Sequence, residues 1–262
     1  MHWKSVAALA CGVALASTPS VLAQDTYAVS RGKLALQELE PLPDGYNETY
    51  YFKLTLANRP FGYSEMTLTA QKDEEGKLWY HYRHDTKTKA PNGNRFNTVI
   101  ETKMTPRFSP VEINTVKTTI TGTGQEYVRR LTVVLGPKEI VQTRMKNDKY
   151  TTEYFDRPEG PFVFATELLL ERIKFDKFKS FDWTMFDPNR CQTTTLRFLV
   201  NKMPDLTHRT IASTGAASAT KYYFTHDAEQ RLTGWGEDPP AATAERIDRE
   251  ALDALLETLG LE

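Results

Sequence analysis

Cysteine is almost missing from this chain: its 262 residues hold two, Cys11 and Cys191. Cys11 falls in an N-terminal stretch built like an export signal, with Lys4 as the only charge, an apolar run from Val6 to Leu15, and turn formers at Ser17, Thr18, Pro19 and Ser20. Val21-Leu22-Ala23 then supplies the small residues a signal peptidase requires before a cut. Residues 1–23 are therefore expected to be a signal peptide. The mature chain starts at Gln24 and works in the periplasm or the extracellular space. Ala8-Leu9-Ala10 before Cys11 is only a faint lipidation pattern, because the apolar run continues past the cysteine. With the signal removed, Cys191 is the sole thiol, which excludes an intramolecular disulfide and leaves stability to the core.

Three further absences narrow the function. No stretch approaches the roughly 20 apolar residues of a membrane span, so the mature chain is expected to be soluble, with no transmembrane segment. Charge of one sign is not in excess: Lys4 is the only charged residue of the first 23, so 33 basic residues become 32 against 34 acidic ones, a net charge of about −2. Neither nucleic acid nor an anionic membrane is indicated by such a balance. Catalytic signatures are missing as well, with no G-x-S-x-G elbow, no H-E-x-x-H and no phosphate-cradling glycine loop. The chain is expected to be non-catalytic and to carry no cofactor or metal, and its oligomeric state is left open.

What the sequence does contain is period two. Tyr50, Phe52, Leu54 and Leu56 alternate with Tyr51, Lys53, Thr55 and Ala57, the pattern of a strand with one buried face. Asn58-Arg59-Pro60 breaks this run, and Met66, Leu68 and Ala70 then lie opposite Glu65, Thr67 and Thr69. Leu78, Tyr80 and Tyr82 oppose Trp79, His81 and Arg83, and Phe96, Thr98 and Ile100 oppose Asn97, Val99 and Glu101. Turn formers separate the runs at Asp73 to Gly76, Pro91 to Asn94, Thr123-Gly124, Gly136-Pro137 and Asn147-Asp148. Together they describe a meander of antiparallel hairpins.

At Gly160-Pro161 the pattern changes. Phe162, Val163, Phe164, Leu168, Leu169, Leu170 and Ile173 are apolar around most of a helical circumference, and proline suits a first helical position. A buried internal helix is predicted here. Strands return at Phe181 to Met185, Leu196 to Val200, Leu206 to Ala212, Lys221 to Thr225 and Arg231 to Trp235, with Gly215 to Ser218 as a small-residue loop. A C-terminal helix is predicted over 243–260, capped by Thr243, striped by Ile247, Leu252, Leu255 and Leu259, and stopped by Gly260. The predicted organisation is a signal peptide at 1–23, a lead-in segment at 24–47 in which Leu34, Leu36 and Leu39 could form a short helix or an edge, and a single β-rich domain at 48–262.

This order, with Phe61-Gly62-Tyr63 before a strand, the Gly160-Pro161 to Ile173 helix and the Phe186-Asp187-Pro188 strand end, resembles uncharacterised exported bacterial proteins related to the lipoprotein-carrier superfamily. The resemblance covers most of residues 48–237 and implies a mainly β fold in which a large curved antiparallel sheet forms a half-barrel around a hydrophobic ligand. The chain departs from the carriers in lacking several lid helices, which puts lipoprotein transport itself in doubt.

Chemically able residues are few. In Trp79-Tyr80-His81-Tyr82-Arg83-His84-Asp85 the two histidines are ligand types, but residues three apart point to opposite faces of a strand, so His81 and His84 are not expected to share an ion. Cys191 could be a nucleophile, and more simply is a semi-buried residue where a strand starts. His208 and His226 could each serve as a base, yet neither stands beside a nucleophile in sequence. Asn47-Glu48-Thr49 matches a glycosylation acceptor of a kind common by chance. The strongest candidate is instead the aromatic strand face. Either the C-terminal helix or the lead-in segment completes the cover of this face as an ordinary core, or an apolar cleft lies between Phe52, Leu54, Met66, Tyr80, Tyr82 and Phe96 on strands and Phe164 and Leu168 on the helix, holding a lipid or other hydrophobic or amphiphilic molecule. The alternatives are a hydrolase of an extracytoplasmic polymer, with acids or histidines gathered from several strands, and a structural or assembly partner of the cell envelope.

Overall fold

A computed structural model describes residues 26–205, 207–214, 221–238 and 242–261. The expected signal peptide, the Gln24 start and the Gly215 to Ser218 loop lie outside the described residues.

Fourteen strands form one antiparallel sheet. A first run holds β1 (Tyr46–Leu56), β2 (Arg59–Lys72), β3 (Leu78–Lys89), β4 (Arg95–Met104), β5 (Pro110–Ile120), β6 (Glu126–Leu135), β7 (Glu139–Lys146) and β8 (Lys149–Asp156). A second holds β9 (Ser180–Asp187), β10 (Gln192–Lys202), β11 (His208–Ser213), β12 (Lys221–His226), β13 (Leu232–Asp238) and β14 (Thr243–Ile247). Each run is a meander, and they join where β1 pairs with β14, leaving β8 and β9 as the two free edges. The sheet is nonetheless curved, because the Gln142 amide of β7 donates to the Pro188 carbonyl just past β9 at 2.6 Å. Strands near opposite ends of the order can touch only if the sheet bends round on itself. The architecture is thus mainly β and half-barrel-like.

Local chemistry explains the hairpins. Ala57 and Asn58 both take positive φ between the paired residues Leu56 and Arg59, as do Asn147 and Asp148 between Lys146 and Lys149. Two left-handed residues make the tight turn whose twist matches that of paired strands. Pro60 therefore lies at the start of β2, just after Arg59, and the ladder shifts register beside it, between Leu54 and Thr55, as expected where a residue has no N–H to give.

The helices decide one open alternative, the lead-in, and differ from expectation in two places. The lead-in contains α1 (Thr26–Gln37), which packs on β9: the Trp183 indole donates to the Gly32 carbonyl at 3.1 Å. Gly32 lies so close to the Asp182 backbone that a Cβ there would stand 2.0 Å from its carbonyl oxygen. The internal helix is α2, only Thr166–Leu170. Phe162 to Phe164 before it are not helical: Val163 bridges to Met185 and its N–H donates to the Thr184 carbonyl at 2.9 Å, and the Phe164 N–H donates to that of Phe108 at 2.9 Å. A segment apolar on all sides gives no period by which to tell a buried strand-like stretch from a buried helix. Finally, Thr243 does not cap a helix. It opens β14, which closes the gap between β1 and β13, and α3 (Arg249–Leu259) starts only after Asp248, whose carboxylate accepts from Ala251 N–H at 2.8 Å. Gly260 stops this helix in the left-handed conformation as expected.

One large apolar cluster lines the inner face and includes residues of both strand runs, α1 and α2. A second, small one lies outside the sheet, where Leu252 and Leu255 of α3 pack near Tyr51 and Tyr63.

Candidate ligand-binding face

The alternation in β1 to β4 places one residue in two on the inner face, and the register stacks these into rows across the strands. One row runs Tyr50, Met66, His84 and Ile100; the next runs Phe52, Ser64, Thr86 and Thr98. Of the residues expected to form the cleft, Phe52, Leu54, Met66, Tyr80, Tyr82, Phe164 and Leu168 are all buried on this face, and Phe96 is half-buried toward its hairpin end. They are brought together, but α2 and its flanking segment lie over them. Phe52 also meets Trp235 of β13 edge to face with centroids 4.2 Å apart, and Tyr80 meets Phe108 at 5.4 Å.

The cover carries two acids that the sequence reading passed over. Glu167 and Glu171 sit four apart, so they share one side of the α2 turn, and both turn toward tyrosines of the sheet. Tyr82 donates to Glu167 at 2.6 Å, and Tyr50 donates to Glu171 at 2.9 Å. Glu171 also accepts from the Leu232 N–H and stands 3.8 Å from the Arg246 guanidinium. Burial raises the pKa of both carboxyl groups despite these hydrogen bonds, because a desolvated charge costs more than the bonds return. The signal was present in sequence: within Phe162 to Leu170, Glu167 is the only charge.

A chain of hydrogen bonds extends from Glu167 into the sheet. Tyr82 contacts His84 Nδ1 at 3.0 Å, and His84 Nε2 contacts Ser64 and, at 3.2 Å, Thr86. One set of proton positions is consistent with these contacts: Ser64 and Thr86 both donate toward an unprotonated Nε2, Nδ1–H donates to Tyr82, and Tyr82 donates to Glu167. Serine, histidine and acid in series invite comparison with a hydrolase. Ser64 is 1% exposed, however, and His84 is fully buried, so no polymer reaches the hydroxyl. In this state the network serves to satisfy polar groups inside the barrel.

Open space borders the cover. A cleft of about 720 Å³ lies beside its C-terminal continuation, lined by Phe175, Lys179, Val200, Lys202, His208 and Gln230. Another of about 300 Å³ reaches Glu171 and Arg172 near Glu38 and Tyr46. Between them, Phe175 N–H donates to the Gln230 side chain at 3.0 Å. His208 and His226, unrelated in sequence, are directly opposite each other on β11 and β12 and share ring contacts with Phe175 at 5.2 and 5.0 Å. His226 is fully buried with both ring nitrogens unpartnered, as are His208 Nδ1 and Thr210 Oγ1. Burial, helped by neighbouring His208, lowers the His226 pKa to about 4.

The remaining candidates separate. His81 faces outward into a polar cleft of about 430 Å³ with Arg83, Glu101 and Lys103, while His84 points inward. Cys191 is buried in the turn before β10 and accepts from the Gln142 amide at 3.2 Å; burial pushes its thiol up to about 11, away from the thiolate a nucleophile needs. Among the described residues no group of three histidine, cysteine or acidic side chains is placed to hold a metal, and no helix is long and apolar enough to cross a membrane.

No known family and no curated protein matches the chain. Among solved structures it is similar to a β-barrel-like protein of a domain of unknown function from Brucella abortus, at 10% identity and a TM-score of 0.49, covering 80% of this chain and 98% of that one. That neighbour is a bacterial β-rich protein; the resemblance to the lipoprotein-carrier superfamily is one of sequence pattern.

Proposed function

We propose that this is an exported, non-catalytic binding protein that holds a hydrophobic or amphiphilic ligand on the inner face of its sheet. The observation that carries this is the cover over that face. A plain core would be sealed by a long amphipathic helix; here the helical part of the cover is only five residues long, set between the Phe162 to Phe164 segment and the turns that follow it. Its N-cap, Ala165, is left-handed at φ 54° and provides no side-chain cap, its two half-buried acids are held against their ionised state, and clefts flank the segment that follows. Each feature raises the free energy of the closed cover, so that lifting it to admit a ligand costs less than unfolding a strand would. The ligand would replace α2 against Phe52, Met66, Tyr80 and Tyr82, with the tyrosine hydroxyls as its polar guides.

Titration of the purified mature chain with a fluorescent acyl-chain probe tests this. Saturable binding is expected below the unfolding transition, and Tyr82→Ala should weaken it by more than it lowers stability. Glu167→Gln keeps an acceptor for Tyr82 but removes the buried ionisation, so it should stabilise the closed cover and weaken probe binding. Stability and affinity then move in opposite directions. Binding that is absent, or that appears only as the protein unfolds, returns the face to ordinary core.

A further inference from the structure

The row that runs Phe52, Ser64, Thr86 and Thr98 does not end at β4. Thr98 pairs with Lys117 of β5, Lys117 with Arg129 of β6, Arg129 with Lys146 of β7, and Lys146 with Lys149 of β8. Four cations thus stand side by side on four adjacent strands, on the same face as the aromatic seat and in line with it. At the usual strand spacing the row is about 14 Å long. Arg129, Lys146 and Lys149 are exposed and Lys117 is half-buried.

Like charges directly opposite each other destabilise a sheet, and nothing nearby relieves them. Among the described residues none of the four side chains has an ion pair or hydrogen-bond partner. The acids on β8 and its turn are Asp148, beside Lys149, and Glu153, which shares the face and pairs with Gln142. Arg144 itself is engaged, donating to the Gln142 side chain at 2.7 Å and to the Asn189 carbonyl. Lysines on an edge strand guard against strand addition, which accounts for Lys149 on β8. It does not account for Lys117 and Arg129, which are set in from that edge. One position nearer the hairpin ends, the same face presents Phe96, Thr119 and Tyr127, the last 46% exposed.

We infer that Lys117, Arg129, Lys146 and Lys149 form the site for the anionic, phosphate-bearing headgroup of an amphiphile whose apolar part lies on the aromatic seat. Continuity favours this occupant over a free anion: the row passes without a break from Phe52 through three hydroxyls to the cations, and Phe96 and Tyr127 flank it as side chains that suit a lipid's interfacial region. The inference rests on the ligand seat proposed above.

Short-chain phosphatidylglycerol and phosphatidylcholine with identical chains, both used as monomers, separate the headgroup from the tail. The wild-type chain should bind the phosphatidylglycerol at least tenfold more tightly, with the gap closing as salt screens the charges. The variant carrying Arg129→Gln and Lys146→Gln should lose about 30-fold in phosphatidylglycerol binding, about fivefold for each basic side chain near an anionic headgroup. Its phosphatidylcholine binding should stay unchanged and its melting temperature should not fall, since both side chains are exposed and their mutual repulsion is relieved. Equal binding of the two lipids, or a preference that survives in the variant, overturns the headgroup site while leaving the seat in place. Phosphatidylglycerol binding that is lost in the variant but indifferent to Tyr82→Ala supports the cation row and sinks the seat. Inorganic tripolyphosphate bound by the wild type in the absence of any lipid binding overturns the amphiphile as occupant.

Discussion

The two parts of the one inner face are made on opposite terms. From β1 to β4, and again from β9 to β14, the face is packed: aromatic rings touch, and α1, α2 and the Phe162 to Phe164 segment lie over it. From β5 to β8 it is packed only near one end, at Ile113, Val133, Leu135 and Ile140, and turns bare and cationic toward the hairpins. Burial area stabilises the first part. The second carries repulsion that the fold tolerates and has no structural use for. A sheet selected for stability alone would mix acids into that row, and the proposed headgroup site accounts for the difference between the parts.

Breaking the packed part should have the largest effect. Phe52→Ala removes a fully buried ring that meets Trp235 and should cost about 3–5 kcal/mol in urea unfolding. A loss below 1 kcal/mol would mean that this region is as loose as the bare one.

Acidification should act next, again on the packed part. His226 is held neutral with a pKa of about 4 against an ordinary 6.5, so the unfolded chain takes up its proton first as the pH falls. Stability is then complete above pH 6.5 and is shed between 6.5 and about 4, by up to about 3 kcal/mol. Glu167 and Glu171, whose pKa values are raised, act in the opposite sense: their contribution is complete below the ordinary carboxylate range and is shed as the pH rises. His226→Gln should flatten the acid limb without changing the alkaline one. An unchanged acid limb in that variant would remove His226 from the account.

The smallest effect should come from the bare part, where Lys146→Glu places an acid between Arg129 and Lys149 and should stabilise the protein by about 0.5 kcal/mol. Destabilisation there would mean that the four cations are already neutralised within the fold.

What the sequence made legible follows the same division. Alternation in β1 to β4 marked the buried face correctly, because half-buried strands write their period into hydrophobicity. The export signal lies outside the described residues. Phe162 to Leu170 misled, since a segment buried on every side has no period, and Thr243 to Ile247 fitted a helical stripe as easily as the strand that closes β1 onto β13. Contacts between distant positions were illegible in principle. His208 and His226 meet only through the pairing of β11 with β12, and the cations at 117, 129, 146 and 149 align only once three hairpin registers are known. A net charge near zero averaged that row away.

The central claim is that α2 is a displaceable cover, and amide hydrogen exchange at residues 166–173, with and without a saturating acyl-chain ligand, tests it most directly. Faster exchange across this segment on ligand binding, with β1 to β4 unchanged or slower, is the expected result. Exchange at 166–173 that stays the same or slows while the ligand is bound would show that the cover remains in place, and would contradict the claim.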